Sequence, residues 1–137
     1  MRQVVLDANV ALSYLTDRNP EQQEKAGRLF LLASTRELGL VLHQLVLSEI
    51  VYVLRNHYRV GAEETSEILR DLLAGPGVRP VDRLVWSRVL GFWPSRFPDF
   101  ADAALASVVV EDRWDCVATF DRDFAKRLRG QGIACYW

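Results

Sequence analysis

The 137-residue chain has only two cysteines, two histidines and one methionine, and no apolar run long enough to span a bilayer. Cys116 and Cys135 sit in the apolar settings Asp115-Cys116-Val117-Ala118 and Ile133-Ala134-Cys135-Tyr136, without a CxxC or Cys/His spacing. That excludes a disulfide framework and a zinc ribbon, and the thiols read as buried in a reducing compartment. The opening Met1-Arg2-Gln3-Val4-Val5-Leu6 is too short an apolar stretch for a signal peptide, so a cytoplasmic protein is expected. His43 and His57 each stand alone and read as structural. No glycine-rich phosphate loop is present, and Ser13, Ser34, Ser48 and Ser107 lack the nucleophile-elbow context of a serine hydrolase. A formal net charge of −1 excludes a basic coat, so any nucleic-acid site must be local.

Half of the residues are hydrophobic, enough for one compact core, and no linker or repeat interrupts the chain. A single domain over 1–137 is expected. Val4 to Leu6 reads as a buried strand ending at Asp7, followed by a helix over Val10 to Leu15. Asn19-Pro20-Glu21 is an N-cap, a first-turn proline and an acid, opening a helix to about Arg36. Gly39 to His43 reads as a strand. Gln44 to Tyr58, apolar around most of its circumference, reads as a buried helix. Ala62 to Ala74 forms an amphipathic helix closed by Gly75-Pro76-Gly77, and Val78 to Val81 a further strand. Asp82 is expected to cap a helix from Arg83 to Leu90. Asp99 is expected to cap another from Phe100 to about Glu111. Cys116 to Phe120 reads as a strand, followed by a helix to Leu128, and Ile133 to Trp137 as a last strand. Alternating strands and helices predict an α/β fold, a three-layer α/β/α domain with a central, mostly parallel sheet.

Acids fall where that fold places ligands. Asp7 and Asp121 each follow a buried strand, and ligand sites in open α/β sheets lie beyond the carboxyl ends of strands. Asp102 is one turn after Asp99 in a helix beginning at that edge. Glu49 is the only charge in Leu45-Val46-Leu47-Ser48-Glu49-Ile50-Val51-Tyr52-Val53-Leu54, and a buried carboxylate needs either an arginine such as Arg55 or Arg59, or a metal. Two carboxylates about 5 Å apart repel by roughly 3 kcal/mol at an effective dielectric of ~20, so a convergent quartet calls for protonation or a cation. An all-carboxylate set suits Mg²⁺ or Mn²⁺ rather than zinc.

The strand ending in Asp7-Ala8-Asn9, the pair Ser48-Glu49, the run Asp99-Phe100-Ala101-Asp102-Ala103-Ala104-Leu105-Ala106 and the late Thr119-Phe120-Asp121-Arg122-Asp123-Phe124 resemble, in order and spacing, the four acidic motifs of PIN domains. The size resembles VapC toxins, PIN-domain ribonucleases of toxin–antitoxin pairs. The resemblance implies Asp7, Glu49, Asp102 and Asp121 as catalytic, metal-binding acids, Asp99 and Asp123 as second-rank acids, and Asn9 and Thr119 as polar supports. It also implies Mg²⁺ (or Mn²⁺) as cofactor, one ion or two, with Asp7 as the ligand shared where two are bound. RNA is the implied substrate, a cognate antitoxin the implied partner, and a homodimer the implied assembly, with no membrane association. Gln44 departs from the usual small or proline-containing entry to the glutamate helix.

Two rival readings follow from the residues. A catalytically inactive scaffold that binds RNA or protein is disfavoured by the presence of all four acids, and an aspartyl phosphatase by the missing second aspartate in Asp7-Ala8-Asn9. A basic rim for RNA is sought in Arg18, Arg55, Arg59, Arg96 and Arg122. Trp86, Trp93, Trp114 and Trp137, with Phe92 and Phe97, are able to stack bases but read mainly as core or interface aromatics.

Overall fold

The computed structural model describes residues 1–137. Four parallel strands, β1 (Arg2–Leu6), β2 (Leu38–His43), β3 (Val78–Val81) and β4 (Cys116–Ala118), lie in the order β3-β2-β1-β4. Val4, Val5, Leu6, Leu40, Val41, Leu42 and Val117 are fully buried, the mark of a parallel sheet covered by helices on both faces. Seven helices cover it: α1 (Ala8–Leu15), α2 (Pro20–Ser34), α3 (Gln44–Asn56), α4 (Ala62–Ala74), α5 (Trp86–Phe92), α6 (Phe100–Asp112) and α7 (Arg122–Gly130). The three-layer α/β/α reading therefore holds.

Local sequence explains most boundaries. The Asn19 side chain accepts from Gln22 N at 3.1 Å with Pro20 in the first turn of α2. His43, completely buried, caps α3: its Nδ1 accepts from Leu45 N at 3.1 Å, leaving Nε2–H to donate to Arg83 O at 3.0 Å. Gly77 adopts φ +76°, and a Cβ there would lie 2.5 Å from Ala33 O, so the turn before β3 admits only glycine.

Four sequence expectations are corrected. The helix expected from Arg83 under an Asp82 cap begins at Trp86, after Val85. Arg83 is held out of it, its carbonyl taken by His43 and its guanidinium paired with Asp112. The C-terminal strand reduces to one parallel bridge, Val117 with Cys135, because β4 has only three residues to offer. β4 itself stops at Ala118, since Phe120 N and the Thr119 hydroxyl are drawn to Asn9 and Asp7 rather than along a ladder. Finally, α3 is not buried all round. Val46, Ile50 and Leu54 form one inward stripe, and Tyr52 is 67% exposed on the outside.

The chain winds from β1 through β2 to β3 on one side and returns to place β4 on the other side of β1. The carboxyl ends of β1 and β4 thus flank the point where the winding reverses, and a crevice opens there.

Candidate active site

Asp7 is the first residue beyond β1 and the N-cap of α1. Its Oδ1 accepts from Ala8 N at 2.8 Å, and its Oδ2 accepts from the Thr119 hydroxyl at 2.7 Å and from Asn9 Nδ2 at 3.0 Å. Thr119 Oγ1 in turn accepts from Asp121 N at 3.0 Å, while Asn9 Oδ1 accepts from Phe120 N at 3.0 Å. Thr119 and Asn9 thus cross-link the ends of β1 and β4. Asp121 caps α7, its Oδ1 accepting from Asp123 N and Phe124 N at 3.0 and 3.1 Å. Asp99 caps α6, accepting from Asp102 N at 3.0 Å, which places the Asp102 side chain in the first turn.

These elements meet in a cleft of about 300 Å³ lined by Asp7, Asn9, Glu49, Asp99, Asp102 and Asp121. Arg18 is the only basic residue in its lining, and it is engaged with Asn9 O at 3.0 Å rather than with a carboxylate. The four salt bridges of the chain all lie elsewhere. The five carboxylates therefore share the cleft with a single guanidinium and form no salt bridge, and this governs their protonation. The Asp102 carboxyl is pushed up to about 7, first by burial and then by Asp99, Asp7, Asp121 and Glu49. Glu49, only partly desolvated, is raised by that desolvation and by Asp7 and Asp99. Asp7 is raised by burial and Asp121, against the opposing hydrogen bonds of Thr119, Ala8 and Asn9. As they stand, no three acidic, histidine or cysteine side chains close around a single point. Glu49 and Asp102 accept no side-chain hydrogen bond and are free to turn, whereas Asp7 and Asp121 are fixed.

Residues 3–123 match the profile of the PIN domain family. The chain belongs to that family. Among solved structures, the PIN fold here is similar to VapC20 of Mycobacterium tuberculosis, a sarcin–ricin loop cleaving toxin, at 16% identity and a TM-score of 0.67, covering 96% of each chain. PAE2754 from Pyrobaculum aerophilum aligns at 21% identity and a TM-score of 0.66, over 98% of this chain and 83% of that one. VapBC2 from Rickettsia felis, seen bound to a DNA fragment from its promoter, aligns at 15% identity and a TM-score of 0.65, over 98% of both chains. No curated protein matches this PIN domain by sequence.

All four acids expected from the sequence line the one cleft of this PIN domain, with Asn9 and Thr119 supporting Asp7. The two second-rank acids part company. Asp99 lines the cleft and is the strongest of the charges that raise Asp102, while Asp123 is exposed on α7 outside it. Glu49 is not the buried charge its apolar surroundings suggested. It is exposed at the cleft mouth, with neither Arg55 nor Arg59 paired to it, because the wall of α3 that carries it opens on solvent. Of the five arginines considered for a rim, Arg18 lies in the cleft and Arg122 beside it. Arg55 is tied to Val60 O, and Arg59 and Arg96 lie outside the cleft. Lys25 and Arg129, which line the cavity next to Asp121, were missed. Arg129 is seven residues after Arg122 on the same helical face, a signal present in the sequence, whereas Lys25 arrives only through the packing of α2.

Proposed function

We propose that this PIN domain is a Mg²⁺- or Mn²⁺-dependent endoribonuclease, the toxin of a cytoplasmic toxin–antitoxin pair. The observation that carries the reading is the convergence of Asp7, Glu49, Asp102 and Asp121, none of them in a salt bridge, in one cleft at the reversal of the sheet. The donor set fits the ion. It is oxygen only, it holds more negative charge than it can keep ionised, and its two unbonded carboxylates are free to close on a centre that Asp7 and Asp121 define.

Asp7, Glu49, Asp102 and Asp121 would hold the cation. Bound there, it supplies a Lewis acid for the phosphoryl oxygens and a more acidic water at neutral pH. The chain's own residues do the positioning. Thr119 and Asn9 hold Asp7 in one orientation, Asp99 fixes the start of α6 and hence the station of Asp102, and Arg18 offers the cleft's one guanidinium to a phosphate oxygen. The products expected are 5′-phosphate and 3′-hydroxyl ends.

Likeness to the VapBC2 pair supports a cognate antitoxin as partner. The exposed, mutually packed rings of Trp86, Trp93 and Phe100 support a homodimer. The decisive test is cleavage of labelled RNA with Mg²⁺ or Mn²⁺. Activity should vanish with EDTA and in Asp7→Asn, which keeps the shape and loses the charge. Cleavage that resists EDTA, or full activity in Asp7→Asn, refutes the metal reading. Binding without cleavage by the wild type favours the scaffold reading instead.

A further inference from the structure

A second cavity of about 370 Å³ shares Asp121 as a wall with the carboxylate cleft, and its chemistry is opposite. Lys25 of α2 and Arg122 and Arg129 of α7 line it, together with the rings of Phe120 and Trp137. Three cationic residues line it in a chain of net charge −1, and none is held in a short ion pair with an acidic side chain. Arg122 makes no ion pair, and Arg129 donates only to the main-chain oxygen of Trp137. Lys25 reaches Glu21 at 3.9 Å across an exposed helix turn, a contact worth little. The rings of Phe120 and Trp137 stack at 4.7 Å and 16°, Tyr136 meets Trp137 edge-on at 5.4 Å, and Trp137 is still 37% exposed, so part of its ring is accessible to a further planar group.

Cations that match phosphate beside an open aromatic stack are the two ingredients of single-stranded nucleic-acid binding, whereas an acidic peptide would call on the cations alone. We propose that this cavity holds a nucleotide of the RNA strand flanking the bond presented to the carboxylates. Arg122, Arg129 and Lys25 take its phosphate, and its base extends the Phe120–Trp137 stack. The inference rests on the ribonuclease reading. It assigns the positive half of the substrate site to the neighbouring cavity that shares Asp121 with the cleft, where the substrate's charge is drawn in without neutralising the metal-binding acids.

The test is binding of a short fluorescein-labelled single-stranded RNA, followed by anisotropy across a salt series in an Asp7→Asn background that cannot cleave. Arg122→Ala and Arg129→Ala should each weaken binding several-fold and lower the slope of log affinity against log salt by about 0.7, the share of one phosphate contact on a single strand. Trp137→Leu should weaken binding by roughly five- to tenfold with the salt slope unchanged, since stacking releases no counterions. Arg129→Lys should restore the slope and Trp137→Phe most of the affinity, which separates binding from any loss of folding. Lys126→Ala and Arg127→Ala, exposed on α7 outside the cavity, should change little. If the cavity variants behave like these controls while the wild type cleaves RNA, the cavity assignment is overturned and the ribonuclease reading survives. If the wild type neither binds nor cleaves RNA, the ribonuclease reading falls and the assignment falls with it.

Discussion

Replacing Asp102 by Asn in the metal-free protein should raise its stability, although it removes a proposed catalytic acid. The Asp102 carboxyl lies at about 7 in the folded state against an ordinary 3.8. Because the folded value is the higher one, the group favours folding fully below pH 3.8, and this advantage is lost as pH rises through about 7. Taken at face value, the difference corresponds to a destabilisation of about 4 kcal/mol at pH 7. The carboxyl opens on a solvent-filled cleft, and screening reduces that to about 1–2 kcal/mol. Asn forfeits the favourable placement of a negative charge in the first turn of α6, about 0.3–1 kcal/mol. The net gain is about 1 kcal/mol, or roughly 3–5 °C in Tm for a domain of this size. Thermal melts with EDTA at pH 7.5 and pH 4.5 should show the mutant ahead at the higher pH and the gap closing at the lower. Excess Mg²⁺ should raise the wild type more than the mutant, because a ligand stabilises only in proportion to its affinity for the folded state. A mutant that melts below wild type in EDTA at pH 7.5, with Mg²⁺ shifting both equally, would show Asp102 to be a structural residue and the charge argument to be wrong.

Three further outcomes are expected. Cation binding should expel protons, because Asp102, Glu49 and Asp7 are all raised and must ionise to ligate. Calorimetric Mn²⁺ titrations at pH 6.5 should give an apparent enthalpy that varies with buffer ionisation enthalpy, and a buffer-independent enthalpy would contradict this. Thr119→Val should cost about 1–3 kcal/mol in denaturant melts, since it strips Asp7 of its hydroxyl donor and Asp121 N of its acceptor. It should also weaken Mn²⁺ binding at pH 6.5 by pushing Asp7 higher still, and unchanged affinity would mean that Thr119 does not hold Asp7. Gly77→Ala should lose about 2 kcal/mol or more, as a Cβ at φ +76° meets Ala33 O at 2.5 Å. A wild-type Tm in that variant would mean that the turn can rearrange.

The elements were legible where apolar periodicity and capping chemistry agreed. Asn19-Pro20 announced α2, Asp99 announced α6, and the apolar runs before Asp7 and Asp121 announced the two strands that frame the cleft. Where only a local signal was available, tertiary contacts decided otherwise. Asp82 has the chemistry of a cap, yet α5 starts at Trp86 because His43 and Asp112 hold Arg83 from the far side of the chain. Glu49 among apolar neighbours looked buried because sequence gives the composition of a helix but not which of its faces another element covers. Asp99 and Asp123 each sit two or three positions from one of the four acids expected at the site, and only the direction of α6 and α7 separates the one inside the cleft from the one outside it. The basic cavity draws Lys25 from α2 and Arg129 from α7, a meeting that no spacing along the chain encodes.

The hydrogen bonds of Thr119 and Asn9 give the cleft two kinds of acid. Asp7 and Asp121 are anchored through the main chain of two neighbouring strands, so their separation changes only if the sheet itself deforms. Glu49 and Asp102 are tethered by nothing beyond their own helices. A substitution deep in β1 or β4 should therefore reach the chemistry as a change in distance between fixed points, whereas one in α3 or α6 is absorbed by side-chain rotation. The cleft geometry's tolerance to mutation should be lopsided, strict along the two central strands and lenient at the solvent-facing positions of the helices opposite them.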